Sequence, residues 1–232
     1  RLQRSHHHTR PRRRAGCRRS RSRLRECQNT HTRRSHLGRC RCHMRRVAPR
    51  SHQVPPNTQT SVIMTVRPLA QPRRELLEEG VNIVTVPDLR WKRSDIKSIA
   101  LLPNVLAKDD AVRAGAFEAW QVDDCDKVTE GASTNAWIVR DGKVITYPAE
   151  NAILNGVTRQ ALLKIISTLG IEVEIRPFSV SEALNSDEAF LTSSTSFLIP
   201  VVKIDGKQIA NGAPGPIVQK LLKAYSGHVW DA

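Results

Sequence analysis

The sequence predicts an α+β fold in which a mixed sheet curls into a barrel with helices packed against it. Three features support this. Short β-branched runs are joined by tight hairpin signals, Asp141-Gly142 and Asp205-Gly206. Helical periodicity interrupts them, over 158–169 with Gly170 at the C-terminal cap and over 214–225 with a proline at its start. No internal repeat is present, so a solenoid is not the expectation.

In chain order, residues 60–65 (TSVIMT) form a short β-rich run, expected to be a buried strand. Residues 68–72 connect, and 75–79 make at most one turn of helix. Alternating, β-branched residues 81–86 predict a strand that ends at Pro87, which cannot donate to a ladder. Residues 104–114 read as a helix, with Val105, Leu106 and Val112 at helical spacing. Strand 118–122 follows, then a polar hairpin tip at 123–127, the run 128–135, and strands 136–140 and 143–147. After helix 158–169 come strand 171–178, a short helix at 181–185, and strands 189–193 and 199–204. The turn at Asp205-Gly206 leads to 208–209 and the last helix.

Charge divides the chain. The 232 residues, enough for one large or two modest domains, carry a net +15, which on its own points to nucleic acid or an anionic surface. Yet residues 1–50 hold 18 of the 37 basic residues, all Arg, and one of the 22 acids, leaving the remainder at −2. The body is thus a mildly acidic protein with a basic appendage. That appendage has few, aperiodic apolar residues, so it cannot offset its chain entropy and is expected to be disordered. Cys40, Cys42 and His43 lack the paired spacing of a zinc finger, and no aromatic residue is there to stack on bases. Arg without Lys, mixed with His, Cys and Pro, is also what out-of-frame translation of GC-rich DNA gives. The division expected is 1–46 as this Arg-rich segment, 47–72 as the remnant of an N-terminal domain and a connector, and 73–232 as the main domain. No apolar run is long enough for a signal core or a membrane span, and the body has one cysteine, Cys125, which suits a reducing cytoplasm.

Four motifs accompany Lys97, which lies in Asp95-Ile96-Lys97-Ser98 where a polar run meets the apolar residues 99–102. Partial desolvation there would leave its amine a usable nucleophile; the alternative is an exposed lysine at a loop end. Glu130-Gly131-x-Ser133-x-Asn135 sets a carboxylate before a glycine turn. Residues 153–159 (ILNGVTR) run straight into a helix, so free backbone N–H groups and the Thr158 hydroxyl form a phosphate cradle, unless Thr158 is only a cap. Residues 190–196 (FLTSSTS) place a hydroxyl-rich loop after an apolar strand. Asn211-Gly212-x-Pro214-Gly215-Pro216 opens the last helix and carries no evident chemistry.

In this order the motifs resemble the class IV pyridoxal-phosphate aminotransferases, of fold type IV. Leu89-Arg90-Trp91 before the Lys97 motif, Val105-Leu106-Ala107-Lys108, Glu118-Ala119-Trp120 and Val128-Thr129-Glu130-Gly131 are similar to the D-amino-acid transaminase branch. So is Pro49-Arg50-Ser51-His52-Gln53-x-Pro55, with Val54 where that branch has Phe. The resemblance implies pyridoxal 5'-phosphate as cofactor, Lys97 as the amine that binds it and moves a proton between Cα and C4′, and Glu130 as partner of the pyridine nitrogen. It implies that Val157, Thr158 and Ser194 hold the phosphate and that Leu154 packs on the ring. Arg50 and His52 bind the substrate carboxylate, and Ser133 and Asn135 stand behind the site. The implied reaction moves an amino group between a D-amino acid, such as D-alanine, and a 2-oxo acid (pyruvate or 2-oxoglutarate), in a cytoplasmic homodimer with no membrane or nucleic-acid partner.

Members of this family also carry an N-terminal domain of about a hundred residues or more. Residues 1–46 do not resemble it, so the expectation is a retained C-terminal domain with impaired or lost turnover. A branched-chain aminotransferase or an aminodeoxychorismate lyase of the same fold is the alternative, and a non-catalytic protein with a nucleic-acid-binding arm is the alternative of another class.

Overall fold

The computed structural model describes residues 52–53, 60, 62–66, 68 and 72–230. Arg50, the whole of 1–46 and part of 47–72 lie outside the described residues. Five helices and nine strands follow in the described part: α1 (Arg74–Glu78), β1 (Val81–Pro87), α2 (Leu102–Arg113), β2 (Glu118–Val122), β3 (Val128–Gly131), β4 (Asn135–Arg140), β5 (Lys143–Thr146), α3 (Val157–Thr168), β6 (Val173–Ile175), α4 (Val180–Leu184), β7 (Glu188–Ser193), β8 (Phe197–Ile204), β9 (Lys207–Gln208) and α5 (Pro216–Trp230).

The strands form one mixed sheet in the order β3-β2-β1-β8-β7-β4-β5-β6, with β9 beside β8. Strand β1 runs parallel to both β2 and β8, and β5 parallel to β6; the other pairs are antiparallel. The ends of the sheet meet. The segment after β6 returns to β3, where the Val128 amide donates to the Phe178 carbonyl at 3.0 Å and Lys127 bridges Ser179. This is the curled sheet the sequence predicts.

Period-2 alternation in β4 distributes two cores. Ala136 and Ile138 enter one cluster with Trp120, Phe178 and Leu191. Trp137 and Val139 face the other way, into a cluster with Phe190 and the buried sides of α3 (Leu162, Ile166) and α5 (Val218, Leu221). Trp137 stacks on Phe190, ring centroids 5.4 Å apart at 9°. Each such large side chain, taken from water, contributes about 1.5–3 kcal/mol.

The helix expected over 104–114 is present, and the strand expected over 60–65 is corrected. Helix α2 buries Ala107 and Ala111 against Ala119 and Ala132, whereas Leu102, Val105, Leu106 and Val112 are exposed. The small side chains let the helix sit close on the sheet, so the apolar spacing marks the outer face. Residues 60 and 62–66 are exposed and not in a strand, since β-branched residues express their preference only on a half-buried pleated surface. Elsewhere, element ends shift. Strand β6 stops at Ile175, after which Arg176 pairs with Glu174 and Glu182 and Phe178 enters the core. Helix α5 starts at Pro216, not Pro214, because the Glu188 carboxylate accepts from the amides of Ile217 (2.9 Å) and Val218 (2.7 Å).

Candidate functional site

At one end of the sheet a buried carboxylate collects donors from three segments. Glu130 projects from β3. Its Oε1 accepts from Arg90 Nη1, and its Oε2 from Asn135 Nδ2 at 3.0 Å and from the Leu154 amide at 3.1 Å. An ionised carboxylate offers about four acceptor positions. Three are filled, and the one left is on Oε1.

The Arg90 side chain is at least as deeply placed, 6 % exposed against 9 % for Glu130. It grips Asp88 with Nε at 2.8 Å and Nη2 at 2.6 Å, and Nη2 also donates to Thr129 Oγ1 and to the Ala152 carbonyl. Thr129 Oγ1 in turn meets Asp88 Oδ2 at 2.7 Å. Burial pushes the Glu130 carboxyl up, to about 7, against the downward pull of Arg90 and the Leu154 amide. Burial also acts to lower Arg90, but Asp88 and Glu130 more than offset it and leave the guanidinium above its ordinary range. Asp88, raised by burial, is drawn net below its ordinary value by Arg90 and Thr129. Arg90 therefore stays charged, and of the pair it is the carboxyl that titrates.

The second half of the site is the start of α3. Gly156 precedes it and gives no side-chain cap, so the amides of Val157 and Thr158 are left to an external acceptor. Thr158 is buried and Val157 exposed. Arg159 follows, lowered by burial, donating to Asn155 Oδ1 and the Tyr147 carbonyl while its buried Nε has no partner. The register that pairs Asn135 with Thr192 brings the third loop to this same end of the sheet. There Ser193 Oγ accepts from the Ser196 amide, and Ser194 stands exposed at the turn. The turn ends at Phe197, held at φ 58, a conformation a bulky residue rarely adopts.

Of the residues singled out in the sequence, the structure joins Glu130, Asn135 and Leu154 directly, and sets Val157 and Thr158 at the start of α3 and Ser194 in the turn between β7 and β8. Leu154 takes part here through its main chain. Lys97 follows a loop pinned to the approach of α3, the amides of Ser94 and Asp95 both donating to the Asn151 carbonyl. Lys97 itself is exposed, and so is the apolar run beyond it, with Ile99 at 87 %. The expected partial desolvation of Lys97 is thus corrected, because the residues that were to bury it face outward. Ser133 is exposed and donates to Glu118; His52 is exposed, and Arg50 lies outside the described residues. Sequence reasoning missed Arg90 and Asp88. The available signal was the pair of opposite charges two residues apart beside a strand end. Among the described residues no cluster of His, Cys, Asp and Glu could hold a metal ion, and no helix is long and apolar enough to cross a membrane.

The family profile described as amino-transferase class IV matches residues 14–204, a match that begins inside the Arg-rich segment. The chain is 40% identical over 185 residues to a D-alanine aminotransferase of Staphylococcus haemolyticus, covering 80% of this chain and 65% of that protein. It is 39% identical over 182 residues to one of Bacillus licheniformis, covering 78% and 64%. It thus spans just under two thirds of the length of these relatives. Among solved structures, a branched-chain amino acid aminotransferase of Thermobaculum terrenum in its PLP form superposes with a TM-score of 0.72 at 28% identity, covering 80% of this chain and 62% of that one. The Escherichia coli branched-chain enzyme gives 0.67 at 28%, covering 76% and 60%.

Proposed function

The chain belongs to the amino-transferase class IV family, and from that membership we propose that it is a pyridoxal 5'-phosphate-dependent transaminase. It moves the amino group between a D-amino acid such as D-alanine and a 2-oxo acid, pyruvate or 2-oxoglutarate. The observation that carries this reading is the Glu130 carboxylate, clamped by three donors with one acceptor position left open. With an uncapped helix start close by in the fold, the residues fit a ligand that has a protonated ring nitrogen and a phosphate. The D-alanine aminotransferases at about 40% identity support the choice of substrate class.

When bound, the cofactor supplies an aldehyde that receives the amino group and a ring that draws electron density from the substrate Cα. Glu130 would keep the pyridine nitrogen of the cofactor protonated, with the acceptor position open on Oε1. Arg90 favours the ionised form of that carboxylate against its burial. Lys97 Nζ would anchor the cofactor and would be the base that takes the proton from the substrate Cα. The amides of Val157 and Thr158 and the hydroxyls of Thr158 and Ser194 bind the phosphate, and Leu154 orients the ring. Arg50 and His52 donate to the substrate carboxylate. We also propose a cytoplasmic homodimer; the exposed apolar face of α2 supports a covering subunit.

The test is the visible spectrum of the purified chain with pyridoxal 5'-phosphate, beside Lys97→Ala. The expected result is an absorption band that requires Lys97 and is bleached by D-alanine but not by L-alanine. Bleaching by L-valine or L-leucine alone would instead favour the branched-chain reading, which the solved relatives suggest. No band in either protein would refute the cofactor assignment.

A further inference from the structure

Asn135, the first residue of β4, is buried, and both hydrogens of its side-chain amide are used. Nδ2 donates to Glu130 Oε2 at 3.0 Å and to the Leu154 carbonyl at 2.9 Å, while the Leu154 amide donates to that same Oε2. The other end of the carboxamide, Oδ1, lies against Gly156, where an added Cβ would overlap it. Gly156 has φ −59 and ψ 143, a conformation open to any residue. Its need for glycine therefore comes from Asn135, not from the backbone. Gly156 is also the residue immediately before α3. One carboxamide thus spans from the carboxylate at the ring end of the site to the helix start at the phosphate end.

We propose that Asn135 is the positioning residue that fixes the separation between Glu130 and the N-terminus of α3, so that one ligand is gripped at its ring nitrogen and its phosphate together. This rests on the pyridoxal-phosphate reading above. Asn135 acts through Glu130, Leu154 and Gly156. A shorter side chain removes the spacer, and the loop 152–156 then loses its register against the carboxylate. Each grip alone survives; what is lost is their simultaneous fit, and with it the advantage that a phosphate gives to binding.

The experiment measures equilibrium affinity for pyridoxal 5'-phosphate and, in parallel, for pyridoxal, which has the same ring without the phosphate. Tryptophan fluorescence quenching of the full chain reads both, for wild type, Asn135→Ser, Gly156→Ala and the double variant. Asn135→Ser is expected to weaken pyridoxal 5'-phosphate about tenfold or more and pyridoxal less than about threefold, so that the ratio of affinities falls. Gly156→Ala, which displaces Oδ1 without removing it, shows the same pattern. The double variant binds no worse than Asn135→Ser, because the new Cβ occupies the volume the carboxamide vacated. A merely structural Asn135 would lower the melting temperature and leave the ratio unchanged, and that outcome overturns the proposal; so do additive losses in the double variant. If wild type binds no pyridoxal 5'-phosphate, the functional reading and this proposal fall together. If it binds and the ratio holds in both single variants, the proposal alone falls.

Discussion

Replacing Arg90 with Met tests the electrostatics of the site most directly. The substitution keeps most of the side-chain length but strips two carboxylates, Asp88 and Glu130, of their guanidinium, in a place where the Arg90 side chain is only 6 % exposed. It also removes bonds to Thr129 Oγ1 and the Ala152 carbonyl. Removing one partner of a buried ion pair costs about 3–5 kcal/mol, because the remaining charge is left uncompensated. For a chain of this size about 2–4 °C of melting temperature goes with each kcal/mol, so a fall on the order of 10 °C is expected near pH 8. The sign of the pH dependence is fixed. Glu130 in the folded chain sits at about 7, above its ordinary 4.5, so the folded state binds the proton more tightly and stability declines as pH rises through that window. Without Arg90 the carboxyl rises further, and the window widens upward. The gap in melting temperature between wild type and Arg90→Met should therefore be larger at pH 8 than at pH 5.5. Thermal melts followed by circular dichroism at the two pH values measure it. A gap that is equal at both, or larger at pH 5.5, would show that Arg90 does not set the ionisation of Glu130.

Three further outcomes concern the scaffold. Glu188→Gln replaces a carboxylate that receives two α5 amides by a group that can satisfy one of them, and should cost about 2–3 kcal/mol in urea unfolding. Trp137 and Trp120 are both fully buried, but Trp137 Nε1 donates to Thr192 Oγ1 at 2.9 Å while Trp120 Nε1 has no partner. Trp137→Phe should thus be less stable than Trp120→Phe by about 1 kcal/mol, a comparison in which the loss of ring volume is shared. Asp205→Ala removes 2.7 Å bonds to both the Thr85 amide and its hydroxyl, so the Thr85 amide should exchange with deuterium about tenfold or more faster.

The strand and helix pattern was legible because its signals are local. Asp141-Gly142 and Asp205-Gly206 turn where positive φ is needed, and Gly170 ends α3 at φ 67. What the pattern could not convey is which side of an element meets the sheet. In α2 the hydrophobic signal comes from Val105, Leu106 and Val112, yet contact with the sheet is made by Ala107 and Ala111, whose small size carries almost no signal. Lys97 lies before α2, in a loop whose residues 96–101 are all exposed. Glu130 could be read from its own motif, as could the helix start at Val157. Arg90 offered only its pairing with Asp88 two residues before; its second partner, Glu130, lies forty residues further along, and its neighbours Leu89 and Trp91 are both exposed. Asn135 was visible as a residue of the motif, but its double donation depends on how the loop 152–156 folds back.

The closure of the sheet has a consequence for how the molecule breathes. Between β3 and the returning segment the sheet closes at a single bridge, Lys127 to Ser179, one of whose hydrogen bonds runs from the Val128 amide to the Phe178 carbonyl, whereas β7 and β8 share a five-residue register. Buried side chains add to this short ladder, with Val128, Trp120 and Phe178 in one core cluster. Strand β3 also carries Glu130. Opening at this seam would move the strand that holds the buried carboxylate of the site, so the exchange protection of the Val128 amide reports on the site as well as on the sheet.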